Sequence, residues 1–219
     1  MRHWGDCTGT IIAPRYILTS LDCLVLAAEQ LKAKIQFILR HVAVRTGTAY
    51  KTRNGIISPV SDFFVTNNTK AEVIEQIVIL KLPRNVTNTE DAEPIKLGHW
   101  QPEVGASLSI AGQTRIVNGR DVPVNHYVIG KATITSFRGL NFAFCVRDMD
   151  QGATARDEGG PAYKAVKGEY VQVGMVRSIE WTVTANNHVL NKEQYLWIAP
   201  FCNFIKATTK GEARCKRIR

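Results

Sequence analysis

The sequence predicts an all-β protein, a sandwich or barrel of many short strands. Two observations carry that prediction. Short β-branched or alternating segments recur along the chain, each bounded by Gly, Pro, Asn or Asp, which is the pattern of strands separated by turns. Only two stretches read as helix, and no internal repeat, low-complexity tract or linker interrupts the series. Many short strands separated in this way suggest a sandwich or barrel.

In chain order, Thr10–Ile12, Lys34–Leu39, Ile77–Leu82, Ser107–Ala111, Ala132–Thr135 and Tyr170–Val176 read as strands. The helical stretches are Leu24–Lys32, just after Cys23, and Pro200–Ala207 near the end. With 219 residues, 45% of them hydrophobic, the chain can bury a sizeable core. That length allows one or two domains, and all-β barrels of this size often form one unit. No apolar run approaches the roughly 18 residues that span a bilayer, so no transmembrane segment is expected. Met1-Arg2-His3-Trp4 leads into neither an apolar stretch nor a small-residue cleavage site, so it does not read as a signal peptide.

The net charge of +9 and pI near 9.5 favour anionic partners such as glycans, acidic proteins or nucleic acid, without selecting one. Lys206–Arg219 holds six basic residues against one acidic and is expected to be exposed. Arg214, Lys216, Arg217 and Arg219 read either as a heparin-type patch or as a solvated tail. Asn67 and Asn85 stand in acceptor sequons, Asn67-Asn68-Thr69 and Asn85-Val86-Thr87, which matter only in the secretory pathway. Trp4, Trp100, Trp181 and Trp197 read as core or loop anchors, and Asp148 and Asp150 as a solvated turn.

Three local motifs are more specific than periodicity. The first is Cys7-Thr8-Gly9-Thr10-Ile11-Ile12-Ala13-Pro14-Arg15-Tyr16-Ile17-Leu18-Thr19-Ser20-Leu21-Asp22-Cys23. It resembles Cys-Gly-Gly-Ser-Leu-Ile-x-x-x-Trp-Val-Leu-Thr-Ala-Ala-His-Cys. The second, Gln76-Ile77-Val78-Ile79-Leu80-Lys81-Leu82, resembles Asp-Ile-Ala-Leu-Leu-Lys-Leu. The third, Asp157-Glu158-Gly159-Gly160-Pro161, is similar to Asp-Ser-Gly-Gly-Pro. In this order they resemble the chymotrypsin/trypsin-like serine proteases over most of the chain. That resemblance implies two antiparallel six-stranded barrels with a short terminal helix and a cleft between the barrels. Residues 1–219 then form one trypsin-like unit, with about 1–100 in the first barrel and about 101–219 in the second. The family's first strand is missing before Cys7, and the chain is expected to be a fragment.

The same resemblance bears on chemistry. A serine peptidase needs a hydroxyl nucleophile, an imidazole base and a carboxylate that orients the imidazole. By the motifs, Asp22 holds the imidazole position, Gln76 the orienting carboxylate and Glu158 the nucleophile. A carboxylate at the base position cannot return a proton to a leaving amine near neutral pH as imidazole does. None of the five histidines falls in a triad motif. Arg156 replaces the Gly that supplies an oxyanion-hole amide, and Gly152 lies at the pocket floor. Arg177-Ser178-Ile179 replaces Ser-Trp-Gly, which implies an occluded primary pocket, and Thr154 replaces a bracing cysteine. Asp157, retained here, receives the new amino terminus in active relatives.

Asp22 and Glu158 are expected to lie close together. Paired carboxylates can serve acid/base chemistry or hold a cation, and the plainer reading is decayed positions neutralised by Arg156, Arg177 or solvent. No cofactor or metal is expected. The family pairs Cys7 with Cys23, which fits an oxidising, extracellular site. Cys145 matches a family cysteine whose usual partner is gone. Cys202 and Cys215 have no family counterpart, and one of them is a candidate partner for Cys145, with the choice open.

Loss of all three triad members, with Glu at the serine position, most resembles the scabies mite inactivated serine protease paralogues, relatives of the group 3 mite allergens. That resemblance implies a secreted pseudoprotease that binds host or plasma proteins and interferes with a proteolytic cascade such as complement. The alternative is a basic glycan- or membrane-binding effector resembling azurocidin. A cofactor-like homologue resembling the clip-domain proteins ranks lower, because no clip domain is visible. No nucleic-acid partner is expected.

Overall fold

The computed structural model describes residues 7–50, 53–66, 77–86, 92–117, 120–137, 143–146, 157–183 and 189–218. Within these, side chains at 26, 30, 113–126, 143–146 and 178–192 are outside the description. Strand β1 (Thr10–Ala13) pairs antiparallel with β2 (Tyr16–Ser20). Helices α1 (Leu21–Leu31) and α2 (Ile35–His41) follow. A hairpin of β3 (Ala43–Thr46) and β4 (Ile56–Pro59) comes next, then β5 (Asp62–Val65) and β6 (Ile77–Lys81). These strands form a four-stranded sheet, β1-β2-β6-β5, and the separate two-stranded β3–β4 sheet. Buried on both faces, β2 and the IVIL stretch of β6 carry no polar alternation.

The later strands are β7 (Lys96–His99), β8 (Ser107–Val117), β9 (Arg120–Phe137), β10 (Ala143–Val146), β11 (Pro161–Val166), β12 (Glu169–Val183) and β13 (Val189–Trp197). Their antiparallel pairings run β8-β9-β10-β13-β12-β11 and return to β8, a circuit of six strands. A 3-10 turn (Ala199–Phe201), helix α3 (Cys202–Thr208) and strand β14 (Cys215–Arg217) end the description. The result is a mostly β, trypsin-like arrangement with few short helices. It departs from the expected pair of closed barrels in its first half. There the six described strands divide between two sheets, because the β3–β4 hairpin pairs with no other described strand.

Two sequence expectations are corrected. Lys34–Leu39 is not a strand; Ile35–His41 is helix α2. A strand would set Phe37 on the same face as Ile35 and Leu39, yet Phe37 is 54% exposed while Ile38 and Leu39 are buried, at 7% and 2% exposure. A helix places both, with Ile35, against the cluster of Ile17, Val78 and Leu80. Nor does either late cysteine pair with Cys145, because Cys202 bonds to Cys215 with Cα atoms 5.6 Å apart. The tail beyond α3 is a paired strand, although its basic side chains are exposed as expected.

One core cluster joins the two halves. Leu18, Ile77 and Ile79 of the first sheet pack with Leu97, Met175, Leu196, Ile198 and Ile205. Each such burial stabilises by roughly 1.5–3 kcal/mol relative to exposure. This seam fixes the end of β2 against β12, and the candidate site lies at that junction. No helix among the described residues is long and apolar enough to cross a membrane.

Candidate functional site

Ser20 is the last residue of β2 and the N-cap of α1. Its extended backbone (φ −84°, ψ 139°) turns the chain, and its Oγ accepts from the Asp22 N–H at 3.2 Å. Asp22 therefore sits in the first helical turn, where the helix dipole favours negative charge. The disulfide Cys7–Cys23, with Cα atoms 6.0 Å apart, ties the preceding segment to the same turn.

Glu158 arrives from the other half of the chain. Thr8 donates its N–H to the Glu158 carbonyl at 3.0 Å, and Thr19 Oγ1 donates to the Thr8 carbonyl at 2.9 Å. Gly159 N–H donates to the Val176 carbonyl (2.8 Å), and Val176 N–H to the Gly160 carbonyl (2.9 Å). Gly159 has φ +86°, and a Cβ there would lie 2.2 Å from both Thr19 Oγ1 and the Thr8 carbonyl oxygen. No other residue fits. Behind it, Asp157 is buried with its carboxyl over Gly112, where a Cβ would come 2.3 Å from Asp157 Cγ.

Arg177 completes the group. The register of β12 against β13 shifts between Val176 and Ser178, and Arg177 occupies that bulge. Its Nε donates to Asp22 Oδ2 at 3.2 Å, an ion pair between residues 155 positions apart. Burial pushes the Asp22 carboxyl up, and the Arg177 charge and hydrogen bond only partly oppose this. Glu158 is 5% exposed, and its pKa is pushed up to about 7, first by burial and then by the Asp22 charge. Among the described residues its Oε2 has no hydrogen-bond partner. The junction thus holds two carboxyl groups that compete for protons beside one guanidinium.

The structure brings together Asp22, Glu158 and Arg177 from the residues singled out in the sequence. Ser178 and Ile179 lie in β12 opposite Gln194 and Glu193, with their side chains outside the description. Gln76, Gly152, Thr154, Arg156 and Asn67 fall outside the described residues. Asn85 is exposed, as a glycan acceptor must be. Among the described residues no third His, Cys, Asp or Glu joins the pair as a metal-holding group. Sequence reasoning missed the pinning residues Thr8, Thr19 and Ser20. Ser20 had a signal, being a good N-cap just before a helical stretch; Thr8 and Thr19 had none.

A mostly β chain in two halves, with a buried Asp-x-Gly-Gly-Pro turn wedged at their seam, has the architecture of the serine-protease fold. The family profile described as Trypsin matches residues 2–197, and the chain belongs to the trypsin family. It is 22% identical to trypsin alpha of Drosophila melanogaster, over 84% of this chain and 79% of that protein. It is 24% identical to the platelet-aggregating proteinase PA-BJ of Bothrops jararaca, over 71% of this chain and 67% of that one. Among solved structures, the scabies mite inactivated protease paralogue S-D1 superposes with a TM-score of 0.71 at 14% identity, covering 97% of this chain and 92% of that chain. Neuropsin, a serine protease expressed in the limbic system of mouse brain, gives 0.68 at 17%, covering 93% and 88%.

Proposed function

We propose that this trypsin-family member is a pseudoprotease that does not cleave peptides and acts by binding other proteins. The observation that carries the proposal is the junction itself. Where relatives need an imidazole and a hydroxyl, the motif positions are Asp22, tied to Arg177, and Glu158, buried with a carboxyl pKa near 7. A carboxyl nucleophile would require an anhydride intermediate, and a carboxylate at the base position cannot return a proton to a leaving amine near neutral pH as imidazole does. Gln76 at the third position offers no charge to orient a base. A rigid scaffold with a disabled site retains its loops as binding surfaces.

Two disulfides fit an oxidising, extracellular setting. The partner class we assign is a protein of a host proteolytic cascade, complement foremost, on the sequence resemblance to the inactivated mite paralogues. A fluorophosphonate reagent that labels active trypsin is expected to leave this protein unlabelled. Peptide turnover that disappears in Glu158→Gln would refute the proposal. The triple change Asp22→His, Gln76→Asp and Glu158→Ser is expected to stay inactive, because Arg156 and Ile179 remain. Capture of complement components from plasma at both physiological and high salt would support the partner class, and an empty catch would remove it.

A further inference from the structure

The family profile matches residues 2–197, and the segment after that stretch closes the chain against the second sheet. It turns through Ala199–Phe201 into α3, reverses, and returns as β14, parallel to β7 with Cys215, Lys216 and Arg217 opposite Leu97, Gly98 and His99. Its inner side is fixed. Ile198, Phe201, Ile205 and Ala213 are buried in the central cluster, and Cys202–Cys215 joins helix to strand. Fully buried Thr209 donates its Oγ1 to the Ile205 carbonyl at 2.8 Å and accepts from the Ala213 N–H at 3.1 Å. Arg214 Nε donates to the Gly211 carbonyl at 2.9 Å, which steadies its guanidinium.

Its exposed charges are nearly all cationic. Lys206, Lys210, Arg214, Lys216 and Arg217 are exposed, and the one acidic residue among them is Glu212. Among the described residues none of the five is in a salt bridge. The neighbouring carboxylate, Glu169, is taken by Lys96, although the Lys216 charge also reaches it. Exposed His99 lies opposite Arg217. Charged residues on an edge strand can serve simply to prevent pairing with another chain. That accounts for Lys216 and Arg217 on β14, but not for Lys206, Lys210 and Arg214 on the helix and turn.

We propose that this C-terminal cap is a binding surface for a sulfated glycan. Five exposed cations on a disulfide-tied frame, none of them in a salt bridge among the described residues, are complementary to a polyanion. The guanidinium groups of Arg214 and Arg217 suit the planar, two-oxygen recognition of a sulfate. The remaining exposed residues of the segment are Pro200, Asn203 and Ala207. It therefore lacks the exposed aromatic platform that stacks nucleic-acid bases and the large apolar side chains that enter a bilayer. This inference does not rest on the loss of catalysis.

The test is calorimetric titration of the full chain with size-fractionated heparin at physiological salt. Arg214→Ala/Lys216→Ala/Arg217→Ala is expected to weaken binding by about tenfold or more and to flatten its salt dependence. An equally charged control, Lys32→Ala/Lys34→Ala/Arg40→Ala on the exposed surface of the first half, should change it by less than about threefold. Equal losses in the two variants, or none in either, would overturn the assignment. So would tighter binding of phosphatidylserine-containing vesicles or a single-stranded oligonucleotide, or undiminished binding of desulfated heparin. If the triple variant loses its thermal transition, single Arg217→Gln gives the reading, with a two- to threefold loss expected and no loss counting against the cap.

Discussion

The junction at Asp22 and the cap at Arg217 are built from the same kinds of charged side chain in opposite surroundings. At the junction, a buried carboxyl, Glu158, stands beside the part-buried Asp22–Arg177 pair, and desolvation outweighs the ion pair enough to leave Asp22 with a raised pKa. At the cap, cations stand in water on a rigid frame, where each contributes little to stability and all contribute to the field outside. The contrast teaches that burial turns a charge into a determinant of folding and pH response, whereas exposure leaves it available to a partner. The same scaffold carries both, one at the junction of its two halves and one at the edge of the larger sheet.

The comparison can be broken most forcefully at the turn that carries Glu158. Gly159→Ala forces a side chain into positive φ and onto Thr19 and Thr8, and should cost about 3–4 kcal/mol by urea denaturation. An unchanged midpoint would mean that the seam is looser than described. Next comes the pH response. Glu158 is raised in the folded state from 4.5 to about 7, so its contribution is fully present below pH 4.5 and is lost as pH rises through 7. Stability should therefore fall across that window by up to about 3 kcal/mol. Glu158→Gln should remove this decline, leaving only the smaller one of the same sign from Asp22. A wild-type protein whose stability does not fall between pH 4.5 and 7 would contradict the burial of Glu158 beside Asp22.

At the cap, Cys202→Ser/Cys215→Ser opens a loop of sequence separation 13 and should cost about 2–3 kcal/mol in the same denaturation experiment. Arg177→Ala should cost about 1 kcal/mol and raise the Asp22 titration midpoint further, which carboxyl-resolved NMR would follow. The smallest effect sharpens the contrast. Alanine at Lys216 or Arg217 should shift stability by no more than about 0.5 kcal/mol. A larger cost would make these cations structural and bring the two regions into one class.

Much of the fold was legible because it is local. The apolar runs of β2 and β6, the turn residues between strands and the spacing of the Cys7 and Asp157 segments all act within a few residues. Asp22 and Glu158 were legible as members of such segments. The helix at Ile35–His41 was not, because Ile35, Phe37 and Leu39 alternate as in a strand while Ile35, Ile38 and Leu39 repeat as in a helix, and only the cluster beneath decides which set is buried. The tail read as charged and exposed, which describes its side chains but not its backbone.

The sequence by itself determined the β class, the basic charge and the chemical types at each motif position, since these follow from composition and short-range pattern. Only the tertiary structure decided that Arg177 rather than solvent meets Asp22, that Glu158 is buried enough to titrate near neutrality, and that Cys202 bonds to Cys215. Each of these depends on which distant segments share the seam or the sheet edge. Contact and desolvation are properties of that arrangement, and no local pattern of residues encodes them.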